Sequence, residues 1–399
     1  MGRLPGWSAP RRWQPEASML YRHAIVIVAA FFAAATFWMF LPLLSVSLRH
    51  DGIGDFRVGM ISSLPWVGLL GMSWFIPALT RTLGLKRMIL LGMGLSVLAF
   101  VGFATTRDVR LWIPLYLLIG AGFSLRWAGM DTWMNGSFPD HLRGRLTGLY
   151  ELIISGSIAF GPAILALSGS TGYVPFLAAS IVMAIAASVI GLVGQEAAHT
   201  THKGTLPQSR FDSLRHDRAA FAGIFMVGLT EAGNLSMLPI FGLSSGFSVH
   251  KSALLVVVVQ SGVAAGALLI GGLADHFSRI KLRNISACTM VVMPVGLILG
   301  LHPLLWPWLL IWGIAQGGLF TLGIVALASR HSGLGLANAM TLSMVIYTVG
   351  GIISPSLLGI LTALLGRYGF VLGLSAMALA GVFLILRPGN LVQKFSPGS

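Results

Sequence analysis

Apolar residues in this chain fall in long runs broken by short polar stretches, without the alternation of a strand or the one-sided stripe of a soluble helix. Twelve runs stand at about 22–46, 57–79, 87–106, 111–136, 145–168, 171–194, 219–243, 251–273, 284–301, 304–328, 336–364 and 368–387. Each is close to the roughly 20 residues that a bilayer-spanning helix needs. Backbone in hydrocarbon must satisfy its own hydrogen bonds, so each run predicts a helix. The expected fold class is an all-α integral membrane protein with twelve transmembrane helices. The longest polar stretch, "GQEAAHTTHKGTLPQSRFDSLRHDR" (Gly194–Arg218), separates six runs from six. The expected organisation is a tail at 1–21, a six-helix bundle at 22–194, a central loop at 195–218, a second bundle at 219–387 and a tail at 388–399.

Composition supports the membrane assignment. Only 10% of residues are charged and the mean hydropathy is +0.84. A soluble domain carries about a quarter charged residues. The 50 glycines and 18 prolines suit a membrane bundle, where small residues let helices approach and kinks are tolerated. The net charge of +14 is unevenly spread. Twelve spans put both termini on one face, which holds 19 of the 26 Lys and Arg; the other holds 6, and Arg126 lies within a run. By the positive-inside rule both termini and the central loop face the cytoplasm, with the chain in the inner (plasma) membrane. The basic balance is thus an orientation signal and not a nucleic-acid surface. Cys288 alone makes neither a disulfide framework nor a thiolate metal cluster. No cofactor or metal is expected. The Arg11-Arg12 pair precedes a run too long for a signal-peptide core. Gly6 stands where a myristoylation signal requires Ser or Thr. Without a phosphate loop or catalytic triad, neither ATP-driven transport nor enzymatic activity is expected.

The two halves echo each other. "FLPLLSVSL" (Phe40–Leu48) resembles "MLPIFGLSS" (Met237–Ser245) at an offset of 197. "PALTRTLGLKR" (Pro77–Arg87) corresponds to "GGLADHFSRIK" (Gly271–Lys281) at 194, and "SIAFGPAIL" (Ser157–Leu165) to "GGIISPSLL" (Gly350–Leu358) at 193. Three matches in one order argue for a duplicated six-helix unit. Two such halves around a midplane site form a transporter architecture.

These positions resemble the signatures of the major facilitator superfamily over about residues 20–388. Gly271, Asp275, Arg279 and Lys281 are similar to its short loop motif between spans 8 and 9. Gly161 and Pro162 match its span 5 glycine-proline motif, echoed in span 11 by Gly350 and Pro355. "DTWMN" (Asp131–Asn135) followed by "RGRLTGLYE" (Arg143–Glu151) resembles the YcaD-like branch, as does the Pro77 that opens the first-half loop. The resemblance implies two pseudo-symmetric six-helix bundles, alternating access, a span 4 that lines the cavity, and gating through Asp275. Pro77 and Arg81 replace the glycine and aspartate of the usual first-half loop, so aspartate gating is expected only in the second half. The family's relay arginine in the first third of span 4 is absent near Tyr116.

Four charged residues lie within runs: Arg126, Asp131, Glu151 and Glu231. Each costs roughly 2.5–3.5 kcal/mol at a helix centre on the insertion scale, so each is a functional candidate. Counted from the turn near Asp140, Asp131 and Glu151 should lie at similar depth. Arg126 lies about 7.5 Å deeper than Asp131. Asp131 can anchor its span, pair with Arg143 and Arg145, or face a vestibule. Arg126 can reach Glu151 or serve as a cavity cation. Glu231 can carry a proton or bond Asn234. Trp127 shares a helix face with Asp131 and Asn135, and Gln316 sits among the glycines of "GIAQGG" (Gly313–Gly318).

The expected function is secondary transport of a small solute, proton-coupled, with Arg126 as the cavity cation. The alternatives are a multidrug or metabolite antiporter working by efflux, and a transport-dead sensor or scaffold on the same fold. Substrate, protons and the lipid bilayer are the expected partners, and a monomer the expected state. A single cysteine at Thr205 in a Cys288→Ser background tests the topology. It should stay unlabelled by a membrane-impermeant thiol reagent in intact cells, and labelling would reverse the orientation.

Overall fold

The computed structural model describes residues 13–106, 108–137, 143–168, 172–193, 216–274, 276–298, 304–331 and 333–386. In chain order the helices are α1 (Trp13–His50), α2 (Asp55–Ser62), α3 (Leu64–Ser73), α4 (Ile76–Leu83), α5 (Leu85–Thr105), α6 (Val109–Ser137) and α7 (Arg143–Ser168). They continue with α8 (Val174–Leu192), α9 (Arg218–Ser244), α10 (Val249–Leu273), α11 (Arg279–Gly296), α12 (Leu305–Arg330), α13 (Gly333–Leu365) and α14 (Arg367–Leu386). No strand occurs among the described residues. Nine helices there are long and apolar enough to cross a membrane, and one bent pair makes a tenth. The helices α7 and α11 occupy the two remaining places where apolar runs predict spans.

The second run departs from expectation. A single helix over 57–79 is predicted, but the chain forms α2, α3 and α4, with a 58° bend between Asp55–Ser73 and Ile76–Leu83. Pro65 and Pro77 lie in the first turns of α3 and α4. Proline lacks the N–H that would continue a helix and is favoured where a new one starts. The bend falls just before Pro77, and α4 has no buried residue.

The first helices of the two halves are the most enclosed. The apolar stretch of α1 is 72% buried and that of α9 94%, against 39% for the peripheral α8. This matches the duplicated pattern, because corresponding helices take corresponding central places. Polar clamps brace the individual halves. Lys86 Nζ donates to the carbonyls of Gly191 and Val193 at 2.7 and 2.6 Å, meeting the unpaired carbonyls at the end of α8. Buried Asp217, at the start of α9, accepts from Arg330 at 2.7 Å and pairs with His331 at 2.6 Å at the end of α12.

Between the halves, α2 packs on α13, α7 on α10 and α1 on α9. The α2–α13 contact is close. A Cβ at Gly59 would strike the Pro355 carbonyl and lie 2.7 Å from the Gly359 Cα, while one at Gly359 would lie 2.7 Å from the Asp55 carbonyl oxygen. Ser63 and Ser356 share a hydrogen bond of 2.9 Å across the seam. An Arg49–Asp55 ion pair of 3.0 Å pins the adjoining turn between α1 and α2. Association in lipid relies on such close van der Waals contact and interhelical hydrogen bonds, because apolar burial is not gained against lipid. The face bearing the α1–α2 turn is therefore sealed. On the opposite face the same span ends in α4, which turns away and packs on α5. Gly59→Leu should force the seam apart. A cysteine at buried Ser62 should then react with soluble thiol reagents at least several-fold faster in folded Gly59→Leu protein, and equal rates would show that the seam does not close this face.

Candidate functional site

In the apolar interior of a bundle, a polar side chain that finds no partner loses hydrogen-bond energy. The buried polar side chains therefore mark where the fold accepts a cost. Among the many buried polar side chains, Arg126 lies in the first half and Glu231, Asn234, Gln260 and Gln316 in the second.

In the first half, α6 carries Arg126 and Asp131. Arg126 is only 3% exposed, and its Nε and Nη2 have no hydrogen-bond partner among the described residues. Its guanidinium lies 4.8 Å from the Phe123 ring centroid, a cation–π arrangement. Phe123 stacks on Phe37 of α1 at 3.8 Å and also meets Trp38 and Trp127. Asp131 accepts a hydrogen bond of 2.8 Å from the Tyr150 hydroxyl of α7. Tyr150 is the residue before Glu151, so positions 131 and 150 lie at one depth. The Glu151 side chain, those of Arg143 and Arg145, and Asp275 lie outside the described residues.

In the second half, Glu231 on α9 accepts a 2.9 Å hydrogen bond from the Tyr347 hydroxyl of α13. This replaces the Asn234 partner considered from the sequence. Asn234, three residues along α9, donates instead to Gln316 Oε1 of α12 at 3.2 Å. The amides of Gln260 (α10) and Gln316 lie beside the Glu231 carboxylate without reaching hydrogen-bond geometry. Glu231 Oε1, Asn234 Oδ1, both polar atoms of the Gln260 amide and Gln316 Nε2 have no hydrogen-bond partner among the described residues. Four helices thus converge on one buried polar cluster.

Aromatic rings join the two groups. Trp66 of α3, fully buried, lies 6.3 Å from Phe37 and 5.8 Å from Tyr347, edge to face in both cases. A Cβ on Gly351 of α13 would come within 2.6 Å of the Trp66 ring. The line Arg126, Phe123, Phe37, Trp66, Tyr347, Glu231 therefore runs from a cation in one half, through stacked and edge-on rings, to a carboxylate in the other. It crosses the boundary between the halves at Trp66–Tyr347.

The remaining predicted residues sit apart from this line. Gly161 faces α1, where a Cβ would lie 2.5 Å from the Ala35 carbonyl oxygen, and Gly350 faces α9, with a Cβ 2.7 Å from the Leu229 amide. These glycines serve close packing beside Pro162 and Pro355. Gly313 and Gly317 do the same on α12, pressing the backbone against Val259 and Val263 of α10 and so seating Gln316 between them. Gly271, Arg279 and Lys281 flank the α10–α11 connection, where both basic side chains are exposed. A groove of about 530 Å³ between α1 and α8, lined by Val28, Phe32 and Ile185 among other apolar residues, lies on the outer surface. Among the described residues no His, Cys, Asp and Glu group is placed to hold a metal.

Residues 26–340 match the Major Facilitator Superfamily. The chain belongs to that superfamily. YfkF of Bacillus subtilis (strain 168), an uncharacterized MFS-type transporter, is 25% identical over 330 residues, which cover 79% of this chain and 82% of that protein. YcaD of Salmonella heidelberg (strain SL476), also an uncharacterized MFS-type transporter, is 23% identical over 322 residues with the same coverage of 79% and 82%. Among solved structures, the nucleoside transporter NupG superposes with a TM-score of 0.74 at 13% identity, over 91% of this chain and 98% of that one. At that identity the likeness shows the fold. This superfamily member is thus a multi-pass membrane transporter, not an enzyme, and it groups with the YcaD-like proteins.

Tyr347 supplies the one hydrogen bond to Glu231 that the structure resolves. Membrane hydrogen bonds average about 0.6 kcal/mol, while those to charged acceptors in proteins reach about 1.5–3 kcal/mol. Because Glu231 Oε1 already lacks a partner, Tyr347→Phe should fall toward the upper figure. The check is thermal unfolding of purified protein in detergent, where Tyr347→Phe should melt clearly below the parent and Tyr368→Phe, on an exposed ring, should not.

Proposed function

We propose that this superfamily member is a proton-coupled secondary transporter. In this reading solute binds between the halves at the Trp66–Tyr347 crossing, Glu231 carries the coupled proton and Arg126 is the fixed cation of the opposing wall. The observation that carries it is the pairing of a sealed seam at α2–α13 with buried, partly unpartnered polar groups directly across the boundary between the halves. A rigid core needs no such groups. A transporter does, because solute and proton must be held there in turn from each side.

The mechanism follows from which groups change partners. With the α1–α2 face sealed, solute would reach the buried groups only when the halves part at the face of the termini, which the positive-inside count predicts to be cytoplasmic. The two bundles, 22–194 and 219–387, would rock against each other, as hinge and shear motions of packed halves do. Opening the α2–α13 seam breaks the Ser63–Ser356 bond and separates Trp66 from Tyr347. Tyr347 holds Glu231 and forms part of the wall, so its displacement changes the surroundings of the carboxylate and hence its hold on a proton. Arg126 keeps a positive charge on the other wall in every state, because a guanidinium does not give up its proton under ordinary conditions. Asp131, tied to Tyr150, stands nearer the termini face and is a second station for a proton leaving Glu231.

Glu231→Gln separates coupling from binding. In proteoliposomes the variant should lose solute accumulation driven by a proton gradient while keeping solute-for-solute exchange within a few-fold of the parent. Gradient-driven accumulation that survives in Glu231→Gln would remove Glu231 from coupling. The direction of parent flux in the same vesicles separates symport from efflux by antiport.

A further inference from the structure

The groove between α1 and α8 lies on the outer surface of the first half, and the transport cycle proposed above does not use it. We propose that it holds the tails of one anionic phospholipid, with the headgroup phosphate on Lys86. The shape of the groove follows from its residues. Ala29 and Ala186 form a buried floor whose side chains stop at the Cβ, and the half-exposed Val28, Phe32 and Ile185 stand as its walls. Every lining residue is Ala, Val, Ile or Phe, so a solute that needs hydrogen bonds finds none there.

Length and width decide among apolar occupants. From Ala24 to Phe32 the lining covers about 12 Å of helix at roughly 1.5 Å per residue. One leaflet of a hydrocarbon core roughly 30 Å thick is about 15 Å deep. The groove therefore runs along most of one leaflet. That leaflet belongs to the face of the termini, because α1 enters there and α8 ends there at Leu192. The volume of about 530 Å³ divided by that length gives a mean cross-section of about 44 Å². A helix about 10 Å across presents roughly 80 Å², so a helix of a second copy does not enter. A hydrocarbon chain about 4–5 Å across, as carbon contact distances set it, presents roughly 20 Å², and the two tails of one lipid fill the space.

Charge at the termini end selects the headgroup. Val189 is the last lining residue on α8, and Gly191 and Val193 follow it. Lys86 Nζ donates to both of their carbonyls, at 2.7 and 2.6 Å, so the ammonium stands at the mouth of the groove. An ammonium has three donors, and these two bonds leave one. Among the described residues no carboxylate pairs with Lys86, and the exposed Arg87 beside it adds a second positive charge. A phosphate takes the remaining donor and offsets that charge. Basic pockets between helices at the cytoplasmic side bind anionic headgroups in this way.

Native mass spectrometry of the purified full chain, released from detergent micelles, tests this with three probes: phosphatidylglycerol, phosphatidylcholine with the same tails, and glycerol phosphate. The parent should retain one phosphatidylglycerol, at least tenfold more than phosphatidylcholine, and no glycerol phosphate. Val28→Trp and Ile185→Trp, at half-exposed wall positions where a larger ring costs the fold little, should each lower phosphatidylglycerol retention at least tenfold. Val292→Trp, on the similarly exposed outer face of α11, should leave it unchanged. Lys86→Gln should bring phosphatidylglycerol down to the phosphatidylcholine level. Where Lys86→Gln fails to run as a single species on size exclusion, incubating the parent with both lipids at high salt should erase the same preference by screening the charge. The proposal is overturned if phosphatidylcholine is retained as well as phosphatidylglycerol, if glycerol phosphate is retained in its place, or if the folded tryptophan variants keep the lipid as the parent does. A parent dimer that Val28→Trp converts to monomer would give the groove to a second copy and overturn it equally.

Discussion

The constraint on which this structure depends is the cost of a polar group where water does not reach. Across most of the bundle the chain avoids that cost with apolar side chains and with helices that bond their own backbones. Hydroxyls turn back onto their own helix, as Thr230 does to Met226 at 3.0 Å and Ser96 to Gly92 at 3.0 Å. Charges at the ends of helices are paired, as in Arg49–Asp55 and Asp217–Arg330. At Arg126, Glu231, Gln260 and Gln316 these remedies are incomplete. Arg126 and Glu231 stand at the two ends of a line of rings that crosses the boundary between the halves, and Gln260 and Gln316 lie beside Glu231.

Close packing makes the arrangement specific. Glycine lets α2 lie on α13 at Gly59 and Gly359, α12 on α10 at Gly313 and Gly317, and α13 on the Trp66 ring at Gly351. In each case a side chain would meet backbone or an aromatic ring. The glycines therefore govern which polar side chains can converge. Gln316 reaches Asn234 because its helix sits hard against α10, and Tyr347 reaches Glu231 because Gly228 lets the α13 backbone come up to α9. Substitutions at these glycines should act on the site without touching it.

Much of this was legible in the sequence, for physical reasons. Apolar runs of bilayer length announce helices, and charges within them stand out against a uniform background, so Arg126, Asp131 and Glu231 could be singled out at once. The echoes between the halves showed the duplication that places α1 and α9 at the centre. The break before Pro77 was hidden because the residues around it, Trp74 to Ile76, are all apolar and continue the run. Tyr347 and Trp66 were hidden for another reason: such residues are common in membrane helices as belt and packing groups, and only contact across the boundary marks them. Gln260 could have been found by the signal that revealed Gln316, a lone amide in an apolar run. The partner of Glu231 could not, because Asn234 is near in sequence while Tyr347 is 116 residues away.

In the proposed transport cycle two rigid halves exchange a seal from one face to the other about the Trp66–Tyr347 crossing. Spin-label distances on both faces of the Cys288→Ser protein in lipid test this most directly. One label pair sits at Ile53 and Leu365 beside the sealed seam, and another at Arg81 and Ser329 on the face of the termini. As pH and solute are varied, two populations are expected for each pair, the first distance lengthening as the second shortens. A single unchanging distance on either face under all conditions would contradict it.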